Sequence, residues 1–164
     1  MRLAALVVAL AALSGGVAAC SSNSAAPADP QDSGGADSGN VVGCDDPKEE
    51  TYSANMQQAG ASSVFTFVLV SSDPAPPANA SNTWVIPLVD ASGQPVTNAT
   101  FPSVKITMPT MTHGTPPAQV TSNGDGTYTF TPLYFFMAGL WQVAITATSG
   151  AQKDTTSFYF CVSG

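Results

Sequence analysis

The side chains best suited to chemistry are soft ligands grouped in one short segment. Met108, Met111 and His113 lie within six residues of one another. Thioether sulfur combined with imidazole suits Cu(I), which prefers soft ligands and needs few of them. If the segment is extended, residues 111 and 113 point to the same side. The alternative interpretation is that the methionines fill gaps in a core and that His113 forms a hydrogen bond within a loop.

The reactive side chains and motifs of the sequence argue against an enzyme. His113 is the only histidine of the chain, so acid–base pairs and triads that combine histidine with a partner have little to draw on. The sequence has no Gly-x-Ser-x-Gly elbow, phosphate-binding loop or motif of paired carboxylates. We therefore expect a binding or structural role rather than catalysis.

The first twenty residues resemble a bacterial lipoprotein signal. Arg2 precedes an apolar run from Leu3 to Leu13, which has the length of a secretory signal core and is too short to span a bilayer. Val17-Ala18-Ala19-Cys20 then resembles a lipobox, in which the cysteine is acylated and becomes the new N-terminus. The sequence predicts a signal peptide at residues 1–19 and a lipid anchor on Cys20; simple secretion is the alternative.

Residues 20–50 read as an acidic tether between that anchor and a folded domain. From Ser21 onward they are mostly Ser, Ala, Gly, Asp and Pro, and they include seven acidic residues but only one basic residue, Lys48. Such a composition predicts disorder, because it buries too little apolar surface to offset the entropy of folding. We expect the protein in the cell envelope, facing the periplasm or the exterior. Ser21, where an inner-membrane retention signal usually has Asp, favours the outer membrane in a cell with two membranes.

Charge limits the partners of the remaining domain, residues 51–164. The formal net charge of the whole chain is −7, but this region holds only four acids and two bases. A nearly neutral domain without a basic patch argues against nucleic acid and against docking on anionic headgroups. The membrane is expected as a partner through the lipid anchor, an envelope protein is a possible further partner, and the oligomeric state stays open.

Two cysteines remain once Cys20 is assigned to the lipid. Cys44 lies just before the predicted domain and Cys161 lies three residues from the end of the chain. Thiol pairs in exported proteins usually bridge, so we predict a Cys44–Cys161 disulfide. A metal-ligand pair is the competing interpretation, but cysteines so far apart have no ligand spacing.

The domain alternates in the manner of β-strands, with short β-branched and aromatic runs divided by Gly, Pro, Asn and Asp. Pro87 inside one run predicts an edge strand or a bulge. The residues expected to point inward are Phe65, Phe67, Leu69, Trp84, Ile86, Leu88, Val104, Ile106, Met108, Tyr128, Phe130, Trp141, Val143, Ile145, Ala147, Phe158 and Phe160. About seven antiparallel strands with one polar face each predict an all-β, immunoglobulin-like β-sandwich, with a small barrel as the second choice.

Several segments, taken in order, resemble the YtkA-like family, to which FixH-type domains are related. They cover roughly residues 62–148 and are Pro76-Pro77, Val89-Asp90-Ala91-Ser92-Gly93-Gln94-Pro95-Val96, Met108-Pro109-Thr110-Met111-Thr112-His113, Gly126-Thr127-Tyr128 and Met137-Ala138-Gly139-Leu140-Trp141. The resemblance implies an immunoglobulin-like sandwich outside the cytoplasm, often lipid-anchored. Some relatives accompany systems that handle copper and heavy metals or assemble respiratory oxidases.

This resemblance adds Met137 to the candidate ligands, because it implies that the Met137 segment lies close to the Met108–His113 segment. The sequence thus predicts Met108, Met111, His113 and Met137 as a candidate Cu(I) site, with packing as the alternative. An interaction module is the second functional hypothesis. Its candidate docking patch is the apolar run Tyr134-Phe135-Phe136-Met137, whose burial in the core is the alternative.

Overall fold

The computed structural model describes residues 41–164, and the predicted signal peptide, Cys20 and the first part of the tether lie outside the described residues. The regular elements within this range are ten strands. They are β1 (Met56–Ala59), β2 (Phe65–Leu69), β3 (Ser71–Asp73), β4 (Ser81–Asp90), β5 (Thr100–Thr107), β6 (Gly114–Thr115), β7 (Gln119–Ser122), β8 (Thr127–Tyr134), β9 (Gly139–Ser149) and β10 (Gln152–Val162).

The strands form two antiparallel sheets. The first sheet has the order β1-β2-β4-β8-β7, with β3 also paired to β4, and the second has the order β10-β9-β5-β6. This arrangement confirms the predicted all-β sandwich. The seven predicted strands are present, and β1, β3 and β6 are additional. β3 and β6 have three and two residues, which is too short for an alternating pattern to be visible, and β1 is Met56-Gln57-Gln58-Ala59, in which apolar and polar residues do not alternate.

The core lies between the sheets and is built by alternation along the strands. In β4 the side chains of Trp84, Ile86 and Leu88 are fully buried, while their neighbours in the chain are partly exposed. The indole of Trp84 meets rings from β10 edge-to-face, with centroids 5.8 Å from Phe158 and 5.6 Å from Phe160. Each such large side chain stabilises the fold by about 1.5–3 kcal/mol through burial, so this aromatic contact joins the two sheets.

Pro87 lies in the interior strand β4, so the expectation of an edge strand there is wrong. The expected irregularity is nevertheless present in the pairing of β4 with the chain segment that contains β2 and β3. Phe67 pairs with Leu88, whereas Ser71 pairs with Val85, and between them the register shifts by one residue. Because proline has no N–H to donate, an interruption of the ladder at this point avoids a lost hydrogen bond.

Residues 41–50 pack against the sandwich, so ordered structure begins before the predicted end of the tether. Cys44 forms the predicted disulfide with Cys161, with the two Cα atoms 5.4 Å apart. The backbone N–H of Glu50 donates to the Tyr159 carbonyl, and the Glu50 carboxylate accepts from the Tyr159 N–H at 2.8 Å. Burial raises the pKa of Glu50, and the hydrogen bond from Tyr159 opposes that rise.

None of residues 41–164 belongs to a helix that is long and apolar enough to cross a bilayer.

Asp154 is a buried carboxylate that fastens the loop before β2 to β10. Its oxygens accept backbone N–H bonds from Ser62, Val64 and Phe65 at 2.8–3.1 Å, as well as from Thr155 at 2.9 Å. Burial alone would raise the pKa of Asp154, but the four donors together outweigh it and hold the pKa below its ordinary value. A Cβ at Gly60 would overlap this carboxylate, which requires glycine there.

We expect Asp154→Asn to lower the free energy of unfolding by about 2–3 kcal/mol, because an amide cannot accept all four N–H groups. Since the folded-state pKa is depressed, the carboxylate stabilises the fold above its unfolded pKa of about 3.9 and loses this effect as the pH falls through the folded value. Urea titrations from pH 7 to pH 3 should therefore show the gap between the two proteins narrowing in acid. Asp73→Asn, at an exposed position of β3, is the control and should change stability little. A gap that does not depend on pH would contradict this role.

The disulfide closes a loop with a sequence separation of 117 residues. Through loop-closure entropy, Cys44→Ser/Cys161→Ser should lower the free energy of unfolding by up to about 4–5 kcal/mol. Denaturant unfolding of this variant, compared with the oxidised parent, measures the loss. Alkylation of the parent under denaturing, non-reducing conditions should leave both cysteines unlabelled, and labelling of either would contradict the pairing.

Candidate functional site

The segment that contains three of the predicted ligands is a tight hairpin loop between β5 and β6. Thr107 pairs with Gly114, and the Met108 N–H donates to the His113 carbonyl at 3.0 Å. Inside this loop the Met111 N–H donates to the Met108 carbonyl at 3.1 Å. The expectation that residues 111 and 113 share a side of an extended segment is therefore wrong. Instead, Met111 packs against the core and His113 is exposed.

Met108 is a core residue. Its side chain is fully buried, on the same side of the strand as Val104 and Ile106. The methyl carbon Cε lies against Gly139, where an added Cβ would overlap it, and Gly139 has a φ of 140° that L side chains rarely adopt. The packing interpretation is therefore correct for Met108, whose thioether is closed off from solvent.

Met137 lies in the loop between β8 and β9 and is half-buried against the core. Its carbonyl oxygen accepts a hydrogen bond from the indole Nε1–H of the buried Trp141 at 3.0 Å. The neighbouring ring of Phe136 lies 5.3 Å from Trp141 and 6.1 Å from the imidazole of His113, between centroids. The two segments that supply the candidate ligands therefore meet at one end of the sandwich.

A third segment, residues 41–44, closes the same end. The Val42 carbonyl accepts from the Leu140 N–H at 3.0 Å. Gly43, at a φ of 82°, fits so closely that an added Cβ would come within 2.9 Å of Thr110 Cγ2 and 3.2 Å of Leu140 Cβ. Since Cys44 is bonded to Cys161, the disulfide holds this segment against both ligand-bearing loops.

The apolar run that follows β8 divides between core and surface. Phe135 is fully buried, which agrees with the burial interpretation, whereas Tyr134 and Phe136 are 49% and 41% exposed. The rings of Tyr134 and Phe136 stack with centroids 6.4 Å apart. The sequence predicted the run Tyr134–Met137 as a single unit, either docking patch or core, whereas the fold divides it between the two.

The candidate site is poor in the ligands that hard or borderline metals use. Within residues 41–164 no three His, Cys, Asp or Glu side chains are grouped to hold a metal ion. Both cysteines in this range are bonded to each other, which removes them as thiolate ligands. The donors that the loops bring to this end are the thioethers of Met111 and Met137 and the imidazole of His113, a set suited to a soft cation.

Comparison with known protein families gives a match over most of the sandwich. The model of the family described as YtkA-like matches residues 60–146, more than half of the chain. The chain belongs to the YtkA-like family. No curated protein and no solved structure matched the chain. The match includes Met111, His113 and Met137, so the whole candidate ligand set lies inside the YtkA-like region.

The different environments of the methionines predict different costs of truncation. Met108→Ala should lower the free energy of unfolding by about 2–4 kcal/mol, because it leaves a cavity against Gly139. Met111→Ala should cost about 1 kcal/mol or less, since part of that side chain already meets solvent. Urea unfolding of the two variants beside the parent measures both values. Equal losses would show that Met108 is not the better packed residue.

Proposed function

We propose that this YtkA-like protein is a lipid-anchored binding domain of the cell envelope that handles Cu(I) or another soft metal. The ligands are Met111, Met137 and His113. Met108 belongs to the predicted set as well, and in this proposal it supports the loop from the core instead of contacting the metal. The role is binding and not catalysis.

The observation that carries the proposal is the meeting of two distant segments at one end of the sandwich. The hairpin loop brings Met111 and His113, and the loop after β8 brings Met137. Phe136, which precedes Met137, has its ring 6.1 Å from that of His113. Gly139, two residues after Met137, lies against Met108 Cε. Residues on both sides of Met137 in the chain therefore lie close to the Met108–His113 segment. The two segments that carry the proposed soft ligands, far apart in the sequence, are thus neighbours in space.

Accessibility supports the same ligand set. His113 is exposed, and Met111 and Met137 are half-buried, so a metal can approach them without opening the core. Cu(I) is satisfied by two or three thioether and imidazole ligands, whereas Mg²⁺ and Ca²⁺ require several oxygens. The choice of a soft metal therefore follows from the chemistry of the donors.

The envelope location rests on the N-terminal signal and on Cys20. The Cys44–Cys161 bond supports export, since disulfides persist in oxidising compartments and are rare in the cytosol. The anchor is also the expected route by which the protein meets the membrane. Electrospray mass analysis of protein extracted from cell membranes should find an acylated N-terminal Cys20.

The alternative function is a protein-interaction or structural lipoprotein of the envelope that binds no metal. The exposure of Tyr134 and Phe136 favours an interaction surface, because large aromatic side chains outside a core often mark a binding surface. The two functions differ in what truncation of the ligand side chains does to metal affinity.

Anaerobic titration with Cu(I) against a competing chelator tests the proposal. The protein is the chain from residue 20 with Cys20→Ser, so that no free thiol competes for the metal. Met111→Ala/His113→Ala should weaken the affinity by at least about tenfold, by analogy with the loss of supporting groups in metal sites. Met56→Ala, which removes a half-buried methionine from β1, is the matched control and should leave the affinity unchanged.

Circular dichroism of each variant establishes that the fold is intact before affinities are compared. If the double variant and the parent compete equally with the chelator, the copper proposal fails and the interaction function takes its place. Loss of affinity in Met56→Ala as well would point to a general effect of methionine content and would also contradict the site.

A further inference from the structure

The large apolar side chains that are exposed within residues 41–164 form a small group, which we call the apolar tip. They are Val42, Tyr134 and Phe136, with exposed fractions of 44%, 49% and 41%. Tyr134 and Phe136 stack on each other, and Phe136 contacts Trp141. Val42 bonds through its carbonyl to Leu140, the residue before Trp141. All three therefore lie around the start of β9.

The position of the apolar tip is informative because the chain enters the fold there. Val42 is the second described residue, and the predicted acylation site, Cys20, precedes Val41 by 21 residues. Even fully extended, a segment of that length spans at most about 70 Å. A lipid on Cys20 would therefore hold this end of the sandwich within about 70 Å of one bilayer, whatever path the intervening residues take.

The chemistry of the apolar tip fits an uncharged interface. Phenylalanine and valine side chains gain by leaving water, and tyrosine places an apolar ring and a polar hydroxyl at the boundary between headgroups and acyl chains. The described residues contain eight acids and three bases, so attraction to anionic lipids does not drive the contact. Besides the lipid anchor, burial of these apolar side chains is therefore the interaction that would hold the domain at the membrane.

We propose that the apolar tip, Val42 with Tyr134 and Phe136, inserts into the interfacial layer of the bilayer that holds the anchor. The sandwich then stands with this end down, and the hairpin loop of Met111 and His113 faces the membrane surface. This inference rests on the envelope anchoring in the proposed function and is independent of copper binding. The partner is a zwitterionic bilayer, and a protein partner is the outcome that competes with it.

Fluorescence quenching by brominated lipids tests the insertion. The chain from residue 20 is coupled through the free thiol of Cys20 to maleimide-bearing phosphatidylethanolamine in phosphatidylcholine vesicles with brominated acyl chains. Phe136→Trp places a reporter in the apolar tip. Ala91→Trp places one in the exposed turn after β4, at the opposite end of the sandwich, and serves as the matched control. The unsubstituted chain supplies the background of Trp84 and Trp141.

The added emission of Phe136→Trp should be quenched at least about three times as strongly as that of Ala91→Trp, as expected for side chains that lie in the interface. Tyr134→Trp is a second reporter that should behave like Phe136→Trp. Mixing phosphatidylglycerol into the vesicles should not increase the quenching. Circular dichroism establishes that each variant is folded.

Equal quenching at positions 136 and 91 would overturn the insertion, and so would equal quenching at positions 134 and 91. If the apolar tip instead crosslinks to an envelope protein in cells and is not quenched, it is a protein-docking surface and the membrane proposal is wrong. Failure of the anchor is a separate result: an unacylated Cys20 in the mass analysis would overturn the anchoring, while the chemical link to the vesicle still reports on insertion.

Discussion

The buried ring of Phe135 joins the core of the sandwich to the end that contains the candidate site. Its centroid lies 6.3 Å from that of Trp84 in the first sheet and 5.3 Å from that of Trp141 in the second. With Phe135 directed inward, its neighbours Tyr134 and Phe136 are turned outward and Met137 is left at the boundary. The indole N–H of Trp141 then fixes the Met137 carbonyl. The exposed aromatics and the half-buried thioether are thus consequences of one core contact.

The disulfide supplies the second constraint on that end. Without the bond to Cys161, the segment of Val42 and Gly43 would depend on one backbone hydrogen bond and on close packing with Thr110 and Leu140. The disulfide fixes this segment in its position beside the hairpin loop. Residues 41–50 were assigned to the tether because the acidic composition of residues 21–50 as a whole predicts disorder. The predicted disulfide already ties Cys44 to the domain, but the Glu50–Tyr159 pairing that orders the rest of this segment leaves no mark on composition.

The strands and the core could be predicted because alternation is a local property. Every large side chain expected to point inward in β4, β8, β9 and β10 is buried. Met108 falls on the same side of the alternating pattern as Val104 and Ile106, so its burial could also be predicted from the sequence. The competing assignment of Met108 as a ligand came from its closeness in sequence to Met111 and His113, and sequence distance does not distinguish a buried thioether from an accessible one.

The division of the aromatic run could not be predicted in the same way. Along β8 the buried positions are Tyr128 and Phe130 and then Leu133, so the phase changes after residue 130. The pairing of β4 with β8 shifts register between Asn82 and Trp84, opposite this point. The side-chain amide of the buried Asn82 bonds to the Leu133 carbonyl at 3.3 Å. Such a bulge belongs to two strands together, and neither sequence alone displays it.

The two ends of the sandwich differ in chemistry, and the proposed ligands all lie at one of them. At the far end Asp90 and Asp125 lie in turns where the hydroxyls of Ser92 and Thr127, with nearby backbone N–H groups, lower the pKa of each carboxyl. Asp154 is likewise surrounded by backbone donors. Asp90 and Asp125 each accept these local bonds on one carboxylate oxygen, and Asp154 accepts on both, so these acidic side chains serve mainly to hold their own turns and loop in place. The opposite end has two thioethers, an imidazole and two exposed aromatic rings. The first described residues, which follow the segment that begins at Cys20, also lie at this end.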